Sequence, residues 1–148
     1  MLFVFLFMAG CQKVETSYTA ENEIIQIKGW LDVMSKNNNI DTTATGLYYI
    51  VNKVGTGRTV QSGDTVTVQY SGMFLDGSVF DSSSDFTYIH KGTGQRLIEG
   101  WEEGIEIMSK GGSALFLIPS VKGYGNYGYA VIPPYTPLLF AIEIIDLK

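Results

Sequence analysis

Leu97-Ile98-Glu99-Gly100-Trp101-Glu102-Glu103-Gly104 decides how the rest of the chain is read. Two branched apolar residues end an extended segment, and Gly100 frees the backbone. A large indole, Trp101, then opens a short helix whose first turn is acidic, as the positive end of a helix dipole favours. Ile105, Ile107 and Met108 can anchor that helix to a sheet. Trp101 would face a cavity or sit as an ordinary core tryptophan, since Trp is often highly buried. The other aromatics decide between the two.

Toward the C-terminus, Lys110-Gly111-Gly112 turns into Ser113–Ile118, a buried strand ended by Pro119. Ser120–Pro134 is a long loop carrying Tyr124, Tyr127, Tyr129, Pro133 and Pro134. Pro137–Leu147 is the last strand, with Leu139, Ala141, Glu143 and Ile145 on one face and Phe140, Ile142 and Ile144 on the other. Toward the N-terminus, Lys91–Gly94 is a glycine-rich loop and Phe86–Ile89 a short strand. The turn at Asp76-Gly77 joins Val79–Asp81 to Asp64–Tyr70, whose Val66, Val68 and Tyr70 share a face. Leu47–Val51 reads as a further strand. Five or six strands and one short helix give an α+β fold, antiparallel, with the helix packed on one face.

Glu21–Lys36 places Ile24, Ile27, Leu31 and Met34 at a helical period, and Asn37-Asn38-Asn39 stops it. This helix is an addition that packs on the main domain or reaches toward a partner. Gln12–Ala20 is a polar tether. Met1–Met8 is unbroken apolar sequence, far short of the ~20 residues that span a bilayer, and it suits the core of a secretory signal. Met8-Ala9-Gly10-Cys11 resembles the bacterial lipoprotein signal, in which a cysteine after small residues is lipidated and becomes the mature N-terminus. The other reading is a buried N-terminal strand with an incidental cysteine. The first implies residues 1–11 as signal and lipidated cysteine, 12–45 as tether and helix, and 46–148 as the main domain. It also implies a protein of the bacterial cell envelope anchored to the membrane through Cys11, and Gln12 suits sorting to the outer membrane.

The 148 residues carry a net charge of −5 and no basic patch, which excludes nucleic acid as a partner. Cys11 is the only cysteine, so no internal disulfide forms. His90 is the only histidine and reads as a surface or strand-end residue. No nucleophile motif accompanies it, and one histidine with scattered carboxylates makes no metal site. Gly123–Gly128 spells GxGxxG but opens no helix, so it is no dinucleotide fingerprint. What remains is an aromatic and apolar set with few titratable groups.

Val68–Gly72, Gly77–Ser83, Leu97–Gly104, Tyr124-Gly125, Ile132-Pro133-Pro134 and Leu139–Ile144 resemble, in order and spacing, FKBP-type peptidyl-prolyl cis-trans isomerases. The resemblance runs from about Gly46 to Lys148. It implies a twisted antiparallel sheet curling around the short helix, with a pocket for a proline ring between them. It implies a catalytic set of Trp101 as floor, Tyr70, Phe80 and Phe140 as walls, Tyr124 as hydroxyl donor and Asp81 as a buried polar group. Phe86 completes the walls on the substrate-binding side. Leu97 and Ile98 form the rim, the Ile98 N–H donating to the substrate carbonyl, and Tyr129, Val131 and Ile132 form a flap. The arginine that the family often carries after the Asp81 motif has no counterpart between Ser82 and Phe86. The implied substrates are proline-containing polypeptides among exported proteins, with no cofactor, and the N-terminal helix offers a route to a homodimer. The alternative is an envelope chaperone or assembly factor that binds extended chains and isomerises little.

Overall fold

A computed structural model describes residues 17–92 and 97–148 of the chain. The apolar run, Cys11 and the first part of the tether lie outside the described residues. In chain order the elements are α1 (Ala20–Met34), β1 (Asp41–Thr42), β2 (Tyr48–Lys53), β3 (Thr56–Thr59), β4 (Thr65–Met73), β5 (Val79–Ile89), α2 (Glu99–Glu106), β6 (Ser109–Lys110), β7 (Ser113–Ile118) and β8 (Leu138–Leu147). Six strands form one sheet in the order β1-β2-β7-β8-β4-β5. Every neighbouring pair in it is antiparallel. β3 and β6 make a separate two-stranded ribbon.

The sheet buries one face, and alternation along its strands selects the residues. Val66 and Val68 of β4 join Phe140, Ile142 and Ile144 of β8 in one core cluster with Trp101 and Ile105 of α2. α2 lies close to β7 because two glycines face it. A Cβ on Gly100 would lie 2.5 Å from Ile118 Cγ2, and one on Gly104 would lie 2.9 Å from the Phe116 ring. Residues 79–81 and 86–89, expected as separate strands, are the ends of the single strand β5. Its pairing with β4 shifts register between Val68 and Tyr70, so Ser84 and Asp85 bulge without ending the strand.

Thr19 caps α1 by accepting the Asn22 N–H at 3.2 Å. The helix ends at Met34, so Lys36 falls beyond its last turn. Ile27, Leu31 and Met34 are half-buried, but Ile24 is 59% exposed, contrary to the periodicity. Glu23 turns inward in its place: its carboxylate accepts the Ser120 N–H at 2.5 Å and the Ser120 hydroxyl at 2.6 Å. The added helix therefore packs on the main domain, held by a buried polar contact.

Candidate active site

Trp101 begins the site. Its indole is 4% exposed, and its N–H donates to the Tyr88 hydroxyl at 3.0 Å. Three rings from two strands of the sheet and its edge stand edge-on around it: Tyr70 at 5.0 Å and 87°, Phe140 at 5.4 Å and 89°, and Phe86 at 6.3 Å and 77°. Edge-to-face contacts of this kind suit the ring quadrupoles. Above them opens a cavity of about 460 Å³, lined also by Asp81, Leu97, Ile98, Glu99, Gly123 and Tyr124. That volume is within the range of small-ligand sites.

The polar groups at the mouth are few. Tyr70 donates to Asp81 Oδ2 at 2.7 Å. Burial, aided by Asp81, pushes the Tyr70 hydroxyl up to about 12, and burial also raises Tyr124, so both remain protonated donors in the neutral range. Tyr124 stacks on Tyr129 at 5.3 Å and 14°.

Of the residues singled out from the sequence, Tyr70, Asp81, Phe86, Leu97, Ile98, Trp101, Tyr124 and Phe140 converge on this one cavity. Phe80 stands behind it, packed edge-on against Phe140 at 5.7 Å. Asp81, expected to be buried, is exposed, and its carboxylate accepts the Tyr70 hydroxyl. Ile132 is a core residue at 6% exposure, whereas Tyr129 and Val131 stand out in solvent at 66% and 70%. None of the three lines the cavity, which Tyr129 approaches only through its stack on Tyr124.

Two buried polar clusters escaped the sequence reading. His90 is fully buried, not a surface residue. Its Nδ1 lies 2.6 Å from Glu102 Oε2, atoms with no other polar partner, and its Nε2 lies 2.8 Å from Glu106 Oε1. The other Glu102 oxygen accepts the N–H of rim residue Leu97 at 3.2 Å. Lys122, 5% exposed, reaches Glu99 at 2.7 Å and Glu103 at 2.8 Å. Burial opposes its charge, but the two carboxylates outweigh that and raise its pKa. Both clusters fasten α2, and hence Trp101, to its surroundings. Nothing in local sequence marks them, since each partner sits more than ten residues away.

Among the described residues no group of His, Cys, Asp and Glu has the arrangement of a metal site. The family model described as FKBP-type peptidyl-prolyl cis-trans isomerase matches residues 56–145. The chain belongs to that family. A probable FKBP-type isomerase of Haemophilus influenzae is 39% identical over 115 residues, covering 77% of this chain and 48% of that protein. The crystal structure of FkpA from Escherichia coli superposes with a TM-score of 0.76 at 33% identity, covering 87% of this chain and 61% of that one. A peptidyl-prolyl cis-trans isomerase from Pseudomonas syringae gives 0.75 at 27% identity, covering 90% and 98%. The chain spans about half the length of the Haemophilus relative. In this FKBP-type domain the sheet's curl and α2 together form the cavity, as the resemblance implied.

Proposed function

We propose that the chain accelerates rotation about X–Pro peptide bonds in polypeptides, with the ring-walled cavity over Trp101 receiving the proline. The single observation that supports this is the convergence of Tyr70, Phe86 and Phe140 edge-on around one indole. Rotation about a peptide bond costs ~18–20 kcal/mol because amide resonance is lost, and at proline it takes tens to hundreds of seconds unaided. No bond to a nucleophile is made or broken, so binding the twisted amide better than either planar form suffices. A twisted amide carries less charge separation, and an apolar pocket favours it. Ile98 would donate its N–H to the carbonyl before the proline, and Tyr124 its hydroxyl to the neighbouring chain. A thousandfold acceleration needs about 4 kcal/mol of such preference.

The test is refolding of a protein limited by a proline bond. Wild type should accelerate it, and Tyr70→Ala should lose about tenfold or more in kcat/KM, ~1.4 kcal/mol of barrier. Equal refolding with and without the protein would overturn the reading. It would also restore the alternative of a holding module, for which the exposed Val121, Tyr127, Tyr129 and Val131 offer apolar surface.

The clients we infer are exported proteins, and the anchor is a lipid on Cys11. The support is the Met8-Ala9-Gly10-Cys11 sequence after its apolar run. No helix among the described residues is long and apolar enough to cross a membrane. Incorporation of labelled fatty acid that disappears in Cys11→Ser is the expected result. A homodimer through α1 is supported by the exposed Ile24, Ile25 and Val33, and sedimentation of Ile25→Glu tests it.

A further inference from the structure

We propose that Glu23, on the added helix α1, is a positioning residue for the pocket: it holds Tyr124 in place through Ser120. The inference rests on the isomerase reading above and extends it to a residue outside the matched stretch 56–145.

Ser120 is the hub. Its N–H and its hydroxyl both bind the Glu23 carboxylate, at 2.5 Å and 2.6 Å. Its carbonyl accepts two further backbone N–H groups, from Gly123 at 2.9 Å and Gly125 at 2.8 Å. Those two residues flank Tyr124, whose ring lines the cavity. Every polar group of Ser120 is thus engaged: two by the helix and one by the Tyr124 turn. Between them, Lys122 ties the same turn to Glu99 and Glu103 of α2.

Glu23 and Ser120 are 8% and 4% exposed. Bonds to a buried carboxylate are charge-assisted and stronger than neutral ones. A Ser120 with its N–H and hydroxyl unpaired in that site would shift to find other partners, since unsatisfied buried donors are costly. Any shift of Ser120 carries its carbonyl, and with it the backbone on both sides of Tyr124. α1 is therefore part of the active site's support, and it acts on the hydroxyl at the pocket mouth without touching substrate.

The test is a double-mutant cycle in the full chain. Glu23→Ala should lower kcat/KM about fivefold, roughly one hydrogen bond's worth of positioning, with the larger share in KM. In a Tyr124→Phe background the same substitution should have no further effect, because coupled residues are non-additive. Glu23→Gln should restore most of the activity: its amide oxygen still accepts the Ser120 N–H, and the hydroxyl can reverse its role. Should Glu23→Ala fail to fold, Ser120→Ala removes one of the two contacts and should show part of the same loss in the same cycle. Equal losses in both backgrounds, or no loss, would overturn the proposal. The amide shifts of Gly123 and Gly125 provide an activity-free readout. Inactive wild type would sink the isomerase reading alone, and amides that move in Glu23→Ala would still support the brace. Unmoved amides would overturn it.

Discussion

The Trp101 floor depends on a partner that takes no part in binding. Tyr88→Phe removes the acceptor of the indole N–H at 3.0 Å and leaves a buried donor unpaired. It should cost about 1–3 kcal/mol in chemical denaturation, with a smaller effect on rate than Tyr70→Ala. His90→Leu fills the space of the ring but strips Glu102 Oε2 of its one partner. Leaving a buried polar atom without its partner costs about 1–3 kcal/mol, and loss of the Leu97 contact should raise KM as well. At this scale the aromatics were legible: alternation sets Tyr70 and Phe140 on their faces, and the family resemblance implied the other rings. Asp81 and His90 were not. The burial of Asp81 was expected from the family resemblance alone, and the burial of His90 goes with Glu102 and Glu106, which lie on another element.

Among the elements, α2 is the one whose position the pocket can least afford to lose. Gly104→Ala would set a methyl 2.9 Å from the Phe116 ring. Overpacking of this kind costs about 1–3 kcal/mol. The lever arm is short, so denaturation should show the loss and the Trp101 emission should change with it. β4 and β8 were readable from alternation, β7 as a buried apolar run, and α2 from its acidic first turn around Trp101. The short pieces β1 and β6, two residues each, were not, because a period cannot be seen in two residues. β3, at four exposed residues, shows no alternation either. α1 was legible as a helix but misread in its facing: Ile24 fits the apolar stripe, yet a carboxylate that finds the Ser120 N–H and hydroxyl displaced it by one position.

For the whole molecule, acid is the informative perturbation. The Arg58 guanidinium hydrogen-bonds Asp64 and holds its carboxyl at about 2, and Lys110 does the same for Asp146. Both folded values lie below the usual carboxylate range. Their stabilisation is therefore complete above about pH 4 and is lost as pH falls toward 2. Arg58→Met should move the acid unfolding midpoint upward, followed by fluorescence. Salt should shrink the difference, since screening weakens partly exposed pairs. The antiparallel sheet and a cavity between it and α2 could be anticipated from the ordered motifs, and packing of α1 on the main domain was one of two expected outcomes, whereas its anchor could not be, because Glu23 and Ser120 stand 97 positions apart.

β8 has neighbours on both sides, β7 and β4, although its residues come last of all the strands. During synthesis, then, everything up to Ile118 emerges while the middle of the sheet is still missing. A ribosome that has not yet released residues 138–147 holds two half-sheets with open edges, and an open edge invites pairing with other chains. The domain consequently cannot lock itself shut early. Whatever escorts it before completion handles a pliant chain, and the final ten-residue strand is the stitch that closes it.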